Sequence, residues 1–544
     1  MFGEPIRAFF APAYGRRFPV PNALDFLRTA GMARRLQDLG IGRTFNSANR
    51  SDPMASTHYE TISTKQKALK INLDKQVYGS FAEIGAGQDV AANFFKAGGA
   101  SNTIAKTISA YDMTFSDSIY GPEESGRYVV ESRLLKMLTR EYNLLNMRLS
   151  EKRGATTCFF AFADTVTTIN YQKTNESHGW MGLRFQSIPG GPTNDVVIHL
   201  RMLDNDALLQ QQALGVVGVN LLYGCTYYAN SPEILLRSLM DDLTNERIEI
   251  DMVRFDGPDF GKVDNRLMSL YLVKHGFTNA ALFGPDGKNL QPSEVIYKKN
   301  VAVVRGRFRP YALVHQDMLD SGVQQFLEDP DVDPQRLVVL SELTLQNLQD
   351  GDDINEKDFL DRVDVLCSLG QTVMVSNYQE YYKLVAYLSK LTRLKIGLIL
   401  GIPNLEYIFE ESHYTNLAGG ILEAFATLFS RKVKLYVYPA LKDGHLINCF
   451  KLSMPTHQRD LFNYLITNNK MEDIHNFNKK NLQIISDQVL AKIKQAEPGW
   501  EAYVPDEVAR MIKEKCLFGY PCDLDPHEPI DSAEEFFGHT DATV

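Results

Sequence analysis

The sequence has no stretch approaching about 18 uncharged apolar residues, which excludes a membrane-spanning helix. The dense alternation of outer-membrane barrel strands is missing too. It also lacks a long basic block: the formal charge of −10 is spread along the chain, which argues against nucleic acid as a general partner and leaves room for a local phosphate site. Cysteine is scarce. Of six in 544 residues only Cys516 and Cys522 are close together, and that spacing gives neither a disulfide framework nor a C-x-x-C metal knuckle, so a reducing cytoplasm is the expected compartment. None of the eleven histidines falls in H-E-x-x-H or H-x-H spacing, and no serine sits in G-x-S-x-G, so a familiar zinc site or nucleophile elbow has no support. Residues 1–53 contain no lysine and many arginines; they read as a loosely held arm or an upstream start.

What is present is a long α/β pattern. After the arm, residues 54–329 read as a mixed N-terminal α/β domain. In it "DVAANFFKAGGASNTIAKTISAYD" has helical spacing, "SGRYVVESRLLKMLTREYNLLNMRL" makes one long amphipathic helix, and "ATTCFFAFADTV", "HGWMGLRFQ" and "NDVVIHLRML" form strands. A boundary is expected at "FLEDPDVDPQR". Residues 330–455 then alternate "RLVVLSEL", "QTVMVSNY", "KIGLILGI" and "KVKLYVYP" with helices, as an open, mostly parallel sheet covered on both faces does. Residues 456–544 read as a helical tail with a loop-like terminus.

Several clusters invite chemistry. "FAEIGAGQDV" supplies Gly85 and Gly87 of a dinucleotide turn but has Val90 at the third glycine place, so a tight turn, with Glu83 serving an arginine or a helix end, is preferred over a nucleotide loop. "EIDMVRFDGPDFGKVDNRL" carries Asp251, Asp256, Asp259 and Asp264; Asp259 and Asp264 are the candidates to bind a divalent cation or orient water, or else to cap helices and pair with arginines. In "VVRGRFRP" Arg305, Arg307 and Arg309 alternate, which in a strand places them on one face, where an anion or protein carboxylates must neutralise them. Glu342, Asn377 and Asn404 fall at the carboxyl ends of predicted parallel strands, where open sheets bind ligands; the asparagines serve equally as helix caps. Asp164, Ser376 and Lys395 sketch a haloacid-dehalogenase-like phosphatase, but Val166 stands where its general acid belongs.

Taken together, "ALKINLDKQVYGSFAEIGAGQDVAANFFKAGGASNTIAKTISAYDM", "RIEIDMVRFDGPDFGKVDNRLMSLYLVKHGFTNAALF", "VVRGRFRP" and "MVSNYQEYYKL" resemble a family of soluble bacterial proteins of about this length, over Lys65 to Ile485. Members carry the inherited names nicotinate-mononucleotide adenylyltransferase and TonB-dependent receptor. The H-x-G-H and S-x-T-x-x-R patterns that the first name implies are missing, and the composition does not suit the barrel that the second implies. The resulting expectation is a cytoplasmic, nucleotide- or phosphate-binding α/β protein. Arg305, Arg307 and Arg309 would neutralise an anionic small molecule, and Asn377 and Asn404 would position it. A divalent cation is the one cofactor the acidic run suggests, and whether the pocket is catalytic stays open. The alternative is a noncatalytic homo-oligomeric scaffold built on tyrosine-rich helices such as "NYQEYYKLVAYL".

Overall fold

The computed structural model describes residues 59, 61–350, 353–429 and 432–522. The expected arm 1–53 and the last part of the tail lie outside them. The described residues form one compact unit containing a six-stranded and an eight-stranded sheet.

The first sheet has the order β2-β1-β3-β4-β5-β6, from β1 (Val77–Gly85), β2 (Ile104–Ala110), β3 (Cys158–Thr167), β4 (His178–Gln186), β5 (Thr193–Met202) and β6 (Ile248–Asp256). β1 runs parallel to β2 and β3, and the rest is antiparallel. One face is covered by α1 (Thr64–Leu73), α2 (Asp89–Ala97), α5 (Ala207–Tyr227) and α7 (Asn265–Lys274), the other by α3 (Met113–Tyr120) and α4 (Glu131–Arg153). Helix α5 is buried almost all round from Ala213 to Cys225, where it is mostly apolar, as a helix segment wrapped in core must be. A Cβ on its Gly218 would stand 2.4 Å from Val90, so glycine is what lets α2 lie this close. The short helix α6 (Pro232–Ser238) follows α5.

Two expectations here are corrected. Ile104–Ala110 is an edge strand, not a continuation of helix: Gly98 and Gly99 take positive φ and stop α2, and the β-branched run then pairs with β1. The long helix begins at Glu131 rather than Ser125, with Glu131 in its first turn and Lys152 and Arg153 in its last, matching the helix dipole.

The second sheet has the order β14-β13-β12-β9-β10-β11-β7-β8, from β7 (Ala280–Phe283), β8 (Asn289–Leu290), β9 (Asn300–Arg305), β10 (Leu337–Thr344), β11 (Thr372–Ser376), β12 (Ile396–Gly401), β13 (Val433–Tyr438) and β14 (Met471–Asp473). Only β7 and β8 are antiparallel to their neighbours. α9 (Leu313–Leu327), α10 (Glu356–Ser368), α15 (Ser486–Lys494) and α16 (Asp506–Lys515) pack one face. The other is covered by α8 (Pro292–Ile296), α11 (Tyr381–Leu391), α12 (Ile402–Ile408), α13 (Gly420–Leu428) and α14 (Thr456–Thr467). The mostly parallel sheet with a helical C-terminal region agrees with the sequence. The expected boundary at 329/330 falls inside this sheet, because β7, β8 and β9 precede it and two of them, β7 and β9, pair with strands that follow it. The tail is likewise not separate: β14 extends the sheet, and α15 and α16 bury Val489, Ile493, Val508 and Ile512 against it.

Cys516 and Cys522 are joined in a disulfide, contrary to the reading of the cysteines; it closes a local loop rather than a framework, and the other four cysteines are buried. Among the described residues no helix is long and apolar enough to cross a membrane.

Candidate functional site

In the first sheet the chain passes from β1 to β2 on one side and then to β3 on the other, so the order reverses at β1. Open α/β sheets bind ligands beyond the strand carboxyl ends at such a point. The turn after β1 is closed to a ligand at its glycines: a Cβ on Gly85 would meet the Val166 carbonyl oxygen at 2.2 Å, and one on Gly87 would meet the Asp164 carboxyl at 2.2 Å. Glu83 accepts the Val90 and Ala91 N–H groups at 3.1 Å each, so it serves the start of α2. The glycines are therefore required by packing on β3, as the tight-turn reading expects. Glu83 and Asp164 are register partners on parallel strands, and burial pushes both carboxyls up, Asp164 further because the Glu83 charge lies beside it. The two N–H donors on Glu83 oppose its rise, so of the pair Asp164 holds its proton to the higher pH.

Along the same edge opens a cleft of about 900 Å³. Thr167 at the end of β3, the 127–129 loop, the start of β4, α8 and the end of α11 enclose it. Its floor is built by strand register. His178 and Trp180 alternate along β4 and so share a face; opposite them stand Arg201 and His199 of β5. His199 pairs with Met252 and Leu200 with Ile250, so Asp251 is the extra residue of a β-bulge in β6. A bulge re-aims a side chain, and here the Asp251 Oδ1 lies 2.5 Å from His199 Nδ1. His199 Nε2 in turn lies 3.1 Å from His178 Nδ1. Gln291, the N-cap of α8, spends its Oε1 on the Glu294 N–H and the Ser293 hydroxyl, which turns its Nε2 toward Asp251 Oδ2 at 3.4 Å.

With Asp251 as an acceptor and both rings neutral, the contacts have one arrangement: His199 Nδ1 carries a hydrogen, its Nε2 accepts, and His178 Nδ1 donates to it. His178 Nε2 is then a bare lone pair, and it has no partner among the described residues. Burial and the neighbouring His199 push the His178 imidazole down to about 4, so it is neutral at pH 7. His199 and Asp251 are buried, whereas His178 is partly open to the cleft.

The rim is cationic. Arg127, Lys298, Lys390 and Arg393 line it, all are exposed, and none is in an ion pair among the described residues; Lys298 lies over the Tyr297 ring. Glu176 and Glu294 are the two acids of the lining. The loop carrying Arg127 is held by Thr165 Oγ1 donating to the Tyr128 carbonyl at 2.8 Å and by Tyr128 donating to Asp117.

The site residues expected from sequence lie elsewhere. Strand β9 ends at Arg305, and Arg307 and Arg309 follow in a loop where Phe308 has positive φ, so the three do not share a strand face. Each is paired within the chain. Arg305 holds Glu342 through two bonds of 2.9 Å, Arg307 lies near Asp487 at 3.4 Å, and Arg309 holds Asp358 at 2.6 Å. Glu342 is fully buried and also accepts the Ser376 hydroxyl at 2.6 Å. Asn377 and Asn404 cap nothing, since Glu380 and Gly401 hold the N-cap positions of α11 and α12; Asn377 is exposed and its N–H donates to Asn279. Asp259 accepts from Asn194 at 2.7 Å, and Asp264 caps α7 and holds Arg266, lining a separate groove of about 590 Å³. The acidic run is thus dispersed, and among the described residues no three His, Cys, Asp or Glu side chains are placed to share a metal ion. The phosphatase sketch is divided between sheets: Asp164 is in the first, while Ser376 and Lys395 belong to the second, with Lys395 paired to Asp329.

Sequence reasoning passed over His178 and His199 because it looked for local motifs. The available signal was His178 at the head of β4 and the alternating polar places His199 and Arg201 in β5, in strands otherwise largely apolar.

No protein-family model matches the chain, and no curated protein does. Among solved structures, similarity is found to the competence/damage-inducible protein CihA of Agrobacterium tumefaciens, at 18% identity over 29% of this chain and 93% of that one, with a TM-score of 0.21. A competence-damaged protein (CinA) superfamily protein of Enterobacter cloacae is similar at 10% identity over 35% of this chain and 99% of that one, TM-score 0.22. Likeness at this level adds nothing to the account of the site.

Proposed function

We propose that the chain binds an anionic small molecule, a phosphorylated metabolite or nucleotide, in the cleft at the carboxyl edge of the first sheet. One observation carries this: Arg127, Lys298, Lys390 and Arg393 surround a cleft of about 900 Å³, and among the described residues no carboxylate forms an ion pair with any of them. Like charges converge this way at a cost that an anion removes. The volume suits a small ligand, and the buried Trp180 and His199 give it a partly apolar floor. The anion site expected at Arg305, Arg307 and Arg309 moves to this cleft, since those arginines are already neutralised. Thermal unfolding against inorganic phosphate, pyrophosphate and nucleotides tests the reading, because a ligand of the folded state raises the midpoint. A shift that disappears in Lys390→Ala/Arg393→Ala supports the cleft; an equal shift in that variant moves binding elsewhere.

A second reading, a homo-oligomeric assembly protein, is favoured by a different observation. Tyr111, Met113 and Phe115 are 81%, 56% and 58% exposed directly after the edge strand β2. Light scattering decides it: a discrete oligomer that dissociates in Met113→Asp/Phe115→Asp supports this surface, and a monomer removes the reading. A cytoplasmic location agrees with the four buried cysteines and is opposed by the Cys516–Cys522 bridge, so the redox state of that pair in freshly lysed cells is the deciding observation.

A further inference from the structure

We propose that His178 is the catalytic base of this cleft, taking a proton from a hydroxyl group of a water or of the anionic substrate, with His199 and Asp251 as its positioning residues. The proposal rests on the anion reading and adds a chemistry to it. Three features of the geometry carry it. With both rings neutral, the Asp251–His199 and His199–His178 contacts leave one tautomer, and that tautomer presents a bare Nε2 at His178, the least buried of the three. The chain is oriented from behind twice, by the bulge that aims Asp251 and by Gln291 on its second oxygen. It also ends among the rim cations, where a bound anion would be held.

In the step itself the hydroxyl O–H bond breaks, its electron pair stays on oxygen, and the proton forms a bond to His178 Nε2. The imidazolium keeps its Nδ1–H on His199, whose own Nδ1–H stays on Asp251, so the new charge faces a carboxylate through one ring. The groups around His178 are His199 and Arg201 of β5, Asp251 of β6, Arg127 of the loop before α4, Glu176 of the β3–β4 loop, Glu294 and Lys298 at α8, and Lys390 and Arg393 at α11. With the cleft empty the cations oppose protonation of His178; an anion among them removes that opposition. Anion binding and proton uptake at His178 therefore favour each other, by linkage.

The test uses the full chain and pyrophosphate. Calorimetric titration at pH 6 in two buffers of different ionisation heat is expected to show uptake of a sizeable fraction of a proton per bound pyrophosphate. His178→Gln is expected to abolish uptake. Binding without proton uptake, or uptake that survives His178→Gln, overturns the assignment. Independently, imidazole ¹⁵N spectra of the unliganded wild type at pH 7 should show His178 protonated on Nδ1 and bare on Nε2, with that preference lost in Asp251→Asn. A hydrogen on Nε2 overturns the base even if pyrophosphate binds. Should pyrophosphate fail to bind while Nε2 is bare, the anion reading falls and the base stands.

Discussion

At the carboxyl edge of the second sheet Arg305, Arg307 and Arg309 each meet a carboxylate of the same chain, whereas at the edge of the first sheet Arg127, Lys298, Lys390 and Arg393 ring a cavity and meet none among the described residues. Both edges are where an α/β sheet would hold a ligand, and both are rich in positive charge. The difference lies in what neutralises the charge. Arg305 is almost wholly buried with a buried Glu342, so its guanidinium is spent on folding; the rim cations of the cleft are exposed and available. An arginine cluster in a sequence thus says that an anion is near, and the fold decides whether that anion is a side chain or a ligand.

Replacing Arg305 with alanine should give the largest effect, about 3–5 kcal/mol of lost stability, because it strands Glu342 as an uncompensated buried charge. Urea denaturation measures it, and the folded fraction should still bind pyrophosphate as the wild type does. A stable Arg305→Ala with weakened binding would reverse the roles of the two edges.

The buried acids sharpen the same comparison, since Glu342 has a cation, whereas Glu83 is held by helix N–H groups and the Thr107 hydroxyl beside a second acid, Asp164. An unfolded glutamate ionises near 4.5, and burial raises Glu83 to about 7. Between those values the native state holds a proton that the unfolded state has released, so this pair makes stability fall as pH rises across the window. Glu83→Gln keeps an acceptor for α2 and should flatten that fall, with its greatest relative stabilisation at pH 7 and above. Denaturation midpoints at pH 5 and pH 8 in both proteins check this.

Reversing Lys390 and Arg393 to glutamate should weaken pyrophosphate binding at least tenfold, about 1.4 kcal/mol, while stability moves by no more than about 0.5 kcal/mol. The exposed Arg307 should give the smallest effect: its alanine variant should change stability by less than about 0.5 kcal/mol and leave binding unaltered.

Much of the second sheet was legible in the sequence because β9 to β13 are continuous apolar runs bounded by helices, the pattern of strands covered on both faces. β8 and β14 are two and three residues long and carry no periodic signal, and β2 alternates too weakly at an edge to compete with the helical spacing before it. The boundary near residue 330 failed because a polar loop between α9 and β10 looks the same whether it joins two domains or two neighbouring elements of one sheet. The arginine alternation was real in the sequence but lost its meaning once β9 ended at Arg305. The cleft was hidden for a different reason. His178, His199 and Asp251 belong to three strands and meet only through antiparallel register and a bulge, neither of which leaves a local motif.

The most direct test of the account is isothermal titration of pyrophosphate into the wild type, Lys390→Glu/Arg393→Glu and Arg307→Ala under identical salt. Saturable binding to the wild type and Arg307→Ala, lost in the double variant, is the result expected of a cleft with unneutralised charge. Binding that survives the double variant and disappears in Arg307→Ala would contradict it and place the anion at the second sheet.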